Sequence, residues 1–123
     1  MGTDFQLKND KIRLDAELAY SDGYNKTSKA DTPALGGYVS AAFALSKQWD
    51  IVASADWFDP NLDVASPNYS TAQNAAARLV FGVNYWFKRD LPHRIMFNYE
   101  NKFSTEGYKY NQDGWYFRYA YSF

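Results

Sequence analysis

The sequence contains no cysteine, which removes disulfides, thiolate metal sites and cysteine nucleophiles from consideration. It contains one histidine, His93, too few for a multi-histidine metal site and a poor basis for histidine catalysis. Charge of one sign is also lacking: 13 Lys and Arg stand against 14 Asp and Glu, a formal net charge of −1. A phosphate-tracking surface needs a basic excess, so nucleic acid is not expected as a partner. No run approaches the ~18 apolar residues of a membrane helix, and the mean hydropathy is −0.56. What the chain does have is rings. It carries 11 Tyr, 9 Phe and 4 Trp in 123 residues, more than a small water-soluble core would hide.

The rings recur with period 2. Trp115, Phe117, Tyr119, Tyr121 and Phe123 alternate with Tyr116, Arg118, Ala120 and Ser122. Side chains of a strand point alternately to opposite faces, so this is an apolar face backed by a more polar one. The pattern predicts further strands over Ile12–Tyr20, Gly37–Leu45, Trp49–Trp57, Leu79–Phe87 and Ile95–Phe103, with a shorter piece at Phe5–Leu7. On these seven predicted strands the apolar face carries no charge, and Asn101 is its one amide.

Connections alternate in length. Short ones lie at Lys8–Asp10, Ser46–Gln48 and Arg89–His93; long ones run from Ser21 to Gly36, Phe58 to Ala77 and Ser104 to Asp113. Short turns at one end and long loops at the other are the layout of an outer-membrane barrel. Three features favour lipid over a protein core against the apolar face. Rings gather near strand ends as interfacial girdles would: Tyr20, Trp57, Phe103 and Trp115 at the long-loop end, and Trp49, Tyr85, Phe87, Tyr121 and Phe123 at the short-turn end. The opposite face carries mid-strand charge, as a wet lumen allows. Strands of about ten residues match the 9–11 that cross a bilayer with tilt. The fold class expected is all-β: antiparallel transmembrane β-barrel strands, in a single segment spanning residues 1–123.

The candidate pore-lining residues are Arg13, Asp15, Glu17, Asp56, Arg78, Glu100, Lys102 and Arg118. With Lys88, Asp4 and Asp50 the polar faces carry five positive and six negative groups, which suggests cross-strand or cross-lumen pairing rather than a ring of one sign. His93 reads as a solvated turn residue. Asp59, Asn61 and Asp63 are spaced like the start of a calcium loop but lack its later ligands. Asn25-Lys26-Thr27 matches a glycosylation sequon with no expected use in a bacterial outer membrane. No metal, cofactor or catalytic residue is expected.

Trp57-Phe58-Asp59-Pro60-Asn61-Leu62-Asp63, Phe81-Gly82-Val83-Asn84-Tyr85-Trp86-Phe87, and Phe97-Asn98-Tyr99-Glu100 are followed by an aromatic terminal strand. Over roughly residues 49–123 this resembles the C-terminal end of porins of the phosphate-selective O and P type. The resemblance implies a trimeric diffusion channel of the 16–18-stranded porin class. It also implies a ladder of basic residues, which this sequence lacks, so a general or differently selective ion and solute pore is the safer expectation. Porin-like barrels commonly end on an aromatic strand read by the assembly machinery. Here the corresponding residues are Gly114, Phe117, Tyr119, Tyr121 and Phe123.

Seven strands are an odd number, whereas single-chain bacterial barrels have an even one. No secretory signal precedes Phe5. Both point to an incomplete part of a larger barrel in the bacterial outer membrane. The expected partners are membrane lipid and lipopolysaccharide, the remaining strands or further copies of the chain, and the barrel assembly machinery. Two alternatives compete: a fragment acting as a folding client of that machinery, and a soluble β-barrel binding apolar ligands inside. The last would turn the uncharged face inward.

Overall fold

Alternation of this kind folds as strands when the turns between them fix the register, and two of the short turns here do so by side-chain capping. Asn9 Oδ1 accepts hydrogen bonds from the backbone N–H groups of Lys11 and Ile12 at 2.9 and 2.8 Å. Ser46 Oγ accepts from those of Gln48 and Trp49 at 3.2 and 3.1 Å. Asn and Ser side chains of this type stand in for a backbone acceptor and hold a tight reversal. The computed structural model describes residues 1–22, 33–60, 62, 75–88, 93–105 and 109–121.

Seven strands result: β1 Gly2–Lys8, β2 Ile12–Ser21, β3 Ala34–Ala44, β4 Trp49–Asp59, β5 Ala76–Trp86, β6 Arg94–Ser104 and β7 Asn111–Ala120. They form one antiparallel sheet in chain order, each strand paired with its sequence neighbours. The sheet is not closed: β1 and β7 are its two edges and both run toward the short-turn end. The fold is therefore all-β.

Two boundaries differ from the sequence expectation. β1 is longer than Phe5–Leu7, because Gly2 to Lys8 pairs in full with Ala19 to Arg13. β7 begins at Asn111 and ends at Ala120, about three residues upstream of the aromatic run. The reason is the ladder with β6, which pairs Phe103 with Asn111 and Asn101 with Asp113. Hydrogen-bonding partners, not ring content, decide where β7 starts. Asp113 thus shares the parity of Trp115, so the apolar face is not free of charge at the long-loop end of β7. Phe123 lies outside the described residues.

Register carries the alternation coherently across the sheet. One row runs Leu7, Leu14, Ala41, Ala53, Phe81, Tyr99, Trp115 from β1 to β7. An adjacent row of the other parity runs Gln6, Asp15, Ser40, Ser54, Val80, Glu100, Gly114. A slip of one residue in any strand would mix the two faces.

Burial is inverted relative to a water-soluble domain. Phe117 and Trp115 are 70% and 67% exposed, and Phe5, Phe81 and Leu18 are at least half exposed. The buried polar residues include Asp50 and Asn84, each 6% exposed. Among the described residues the buried apolar ones are Ala34 and Ala75, and no large side chain is fully buried. Soluble proteins hide such rings and seldom expose contiguous apolar patches of more than a few hundred Å². A soluble barrel binding apolar ligands inside needs the reverse arrangement.

Candidate functional site

The sheet curls toward its polar face. Arg13 on β2 and Arg94 on β6 both line one cavity of about 370 Å³, together with Lys8 of β1, Asp50 of β4 and Trp86 of β5. Four strand spacings would separate β2 and β6 by roughly 19 Å in a flat sheet, so their side chains converge because the sheet is concave here. A second cavity of about 260 Å³ continues the first along Arg13, Asn84, Arg94 and Asn98.

All eight candidate pore-lining residues share the polar parity. In one row Glu17 faces Asp4 and Tyr38, and Asp56 faces Arg78, which in turn faces Lys102. Asp56 and Arg78 form the cross-strand ion pair, Nε to Oδ2 at 2.8 Å. Arg13 pairs instead with Asp15, two residues along the same strand, also at 2.8 Å. Glu100 stands opposite Val80 and Gly114, and Arg118 opposite Met96. Ion pairing among the described residues is therefore sparser than the near balance of charge suggests. Both pairs are partly exposed, and such pairs contribute ~1 kcal/mol or less. Their effect is on the local field.

A tighter cluster sits nearer the short turns, around Trp86 and Arg94, which the sequence reading did not single out, and Asp50, which entered it only in the charge count. Trp86 Nε1 donates to Asp50 Oδ2 at 2.7 Å. The Arg94 guanidinium lies over the Trp86 ring, 5.2 Å from its centre. Asp50 thus orients the indole, and the indole supports the cation through its negative π face. Two amide oxygens beside them, Asn84 Oδ1 and Asn98 Oδ1, are buried without a hydrogen-bond partner. The signal was present in the sequence as one large ring, Trp86, at polar parity in β5. Nothing in spacing alone says that Asp50 and Arg94 flank it.

On the apolar face the short-turn rings meet across strands. Trp49 and Tyr85 have ring centres 4.9 Å apart, and Tyr85 and Phe87 5.4 Å. His93, expected as a free turn residue, joins this band: its ring is 4.4 Å from that of Tyr121, and Nδ1 is 2.6 Å from the Tyr119 hydroxyl. The β6–β7 pairing brings these rings together. At the long-loop end the Trp57 indole donates to Thr105 Oγ1 at 3.3 Å. Trp115 stacks on Phe97 at 5.0 Å and tilts against Tyr99 at 5.2 Å. Tyr20 is exposed, and Phe103 is half-buried opposite Ala77 and Asn111. Of the suggested terminal signal, Gly114, Phe117 and Tyr119 are on β7, with Tyr121 just beyond it.

Asp59 is buried at the end of β4. Asn61, Asp63 and the sequon Asn25-Lys26-Thr27 lie outside the described residues. No family model, curated protein or solved structure matches the chain.

Proposed function

We propose that the chain forms part of the wall of a water-filled transmembrane β-barrel in a bacterial outer membrane, passing small hydrophilic solutes and ions by diffusion. The observation that carries this reading is the inverted burial: exposed Phe, Trp and Leu on one face and buried Asp50 and Asn84 on the concave other, with a buried Asp on the ring-bearing parity, Asp59, confined to the long-loop end of β4. Lipid is the solvent in which such a face is stable.

Register supports the same reading. If the ring-bearing strand ends mark an interface, Tyr20 marks it on β2 and Trp115 on β7. The row of Trp115 meets β2 at Leu14, six residues from Tyr20. Six residues along a strand are about 20 Å, and five strand spacings about 24 Å, so the strands tilt by roughly 40° to that interface. Barrel strands tilt by ~35–45°. Asn101 and Asp113, paired in the row between Tyr99 and Phe103 at the long-loop end of the ring-bearing face, are held by polar contacts: Asn101 Nδ2 donates to Asn111 Oδ1 at 2.7 Å, and the Tyr99 hydroxyl donates to Asp113 at 3.1 Å.

The edge strands β1 and β7 run the same way, so antiparallel closure requires an odd number of further strands between them. The chain alone supplies none, and a second copy in the same orientation, though it adds seven, would meet β1 and β7 in parallel. A sheet with open edges cannot satisfy its edge N–H and C=O groups in lipid, and the open edge of β7 keeps a second role in view, as a client of the barrel assembly machinery.

Lipid quenching tests the primary reading. In vesicles containing brominated lipid, Trp49 and Trp115 are expected to be strongly quenched and Trp86 weakly, each read in a variant with the other tryptophans changed to Phe. Equal quenching of all three, or a soluble chain with shielded Trp115, refutes the membrane orientation.

A further inference from the structure

We infer that the polar face holds a binding site for a small polyhydroxylated carboxylate, a sugar acid by chemical class, between Arg13, Arg94, Asn84 and Asn98. The inference rests on the channel reading above and specifies what the wall recognises. The two cavities share Arg13, Asn84 and Arg94, so they form one continuous site on the concave face.

Each part of such a ligand has a matching group. Arg94 makes no ion pair among the described residues, yet its guanidinium is held in place over Trp86, which Asp50 holds in turn. A fixed guanidinium without a carboxylate partner is a receptor for one, because its planar fork matches the two carboxylate oxygens. Arg13 adds a second positive charge at the same cavity, partly offset by Asp15. The amide oxygens demand the opposite chemistry. Asn84 is 94% buried by its 6% exposure, and its Oδ1 has no donor; Asn98 Oδ1 is in the same condition. Both oxygens are closed off from solvent as they stand, Asn98 Oδ1 against Gly82, and a buried acceptor without a donor is costly, so each amide gains a partner by turning toward a ligand hydroxyl in the cavity it lines. Adjacent hydroxyls and one carboxylate on a short carbon chain satisfy all four residues together. The Trp86 face supplies the apolar wall that sugar C–H groups need, and a cavity of about 370 Å³ is of small-molecule size.

The site lies beside the short turns, where four cations, Lys8, Lys11, Arg13 and Arg94, outnumber the two acids, Asp10 and Asp50, that line the same cavity. Solutes approaching from the long-loop end first pass a mixed row of Asp4, Glu17, Asp56, Arg78 and Lys102, in which Asp56 is paired with Arg78. The guanidinium pair beyond it is where an anionic solute is held.

The test is titration of the whole chain, refolded in detergent, with sodium gluconate at constant ionic strength, followed by ligand NMR line broadening and, in a variant that keeps only Trp86, by its fluorescence. Saturable binding is expected, with glucose, acetate and inorganic phosphate each weaker by about tenfold or more, since each lacks either the carboxylate or the row of hydroxyls. Arg94→Gln and Asn84→Ala are each expected to weaken gluconate by a similar factor. Absence of saturation, or acetate or phosphate binding as well as gluconate, overturns the site. The comparison of solutes on the unsubstituted chain decides the matter even if a variant fails to fold. Quenching of Trp115 by brominated lipid, read in vesicles in the variant that keeps only that tryptophan, reports on the membrane reading separately. Quenching without gluconate binding overturns the site and leaves the channel wall standing. A soluble chain with shielded Trp115 overturns both.

Discussion

Phe81→Arg is expected to destabilise the chain refolded into lipid vesicles by about 2–4 kcal/mol, the cost of a cation on the lipid face of a barrel near the bilayer midplane. Phe81 is 55% exposed in the middle of β5 and shares its row with Ala53 and Tyr99. Ser54→Arg, one position over on the polar parity between Ser40 and Val80, is expected to change stability by no more than about 1 kcal/mol. The pair of variants separates lipid from water as the solvent of the apolar face. In water, replacing a half-exposed Phe by Arg would be neutral or favourable, because a ring already facing solvent has little burial to lose. Urea midpoints of the two variants in vesicles read the difference directly. Equal effects at the two positions would mean that the two faces meet the same solvent.

The second large effect concerns β5 and β6 at closest approach. Gly82→Ala is expected to cost about 1–3 kcal/mol, the usual range for forcing an extra carbon into a filled space. A Cβ there would sit 2.5 Å from the Phe97 carbonyl oxygen and would overlap Asn98 Oδ1. Asn98→Ala in the same chain is expected to restore little, because the carbonyl belongs to the β6 backbone and cannot swing away. Gly114 provides the contrast. A Cβ there meets only the Tyr116 ring, at 3.5 Å or more. Gly114→Ala should therefore be neutral or stabilising by up to about 1 kcal/mol, since Ala has less chain entropy to lose than Gly. Unfolding midpoints in detergent check both. A harmless Gly82→Ala would show that β6 can yield at Asn98 and that the neighbouring site is not rigid.

Alternation fixed a great deal before any coordinates. Period 2 in Ile12–Tyr20, Trp49–Trp57 and Ile95–Phe103 assigns each residue to a face, and facing follows from the pleat alone. For that reason all eight charged candidates share one face, and Trp49, Tyr85 and Trp115 share the other. Loop lengths gave strand direction in the same way, since only neighbouring antiparallel strands can be joined by turns as short as Asn9–Lys11.

Register and curvature belong to the tertiary structure, because both depend on pairs of strands rather than on one. The ladder with β6 begins β7 at Asn111 and brings Asp113 onto the ring-bearing face, which the aromatic run by itself concealed. It also sets His93 against Tyr119 and Tyr121. Asp56 finds Arg78 across one strand boundary, while Arg13 turns to Asp15 on its own strand; charge counting treats these cases alike. The Asp50–Trp86–Arg94 relay joins three strands, and the oxygen of Asn98 is buried because the register sets it against Gly82 of β5. A sequence specifies which way a side chain points; what it points at is decided by the neighbouring strand's register and by the curvature that brings distant strands within reach.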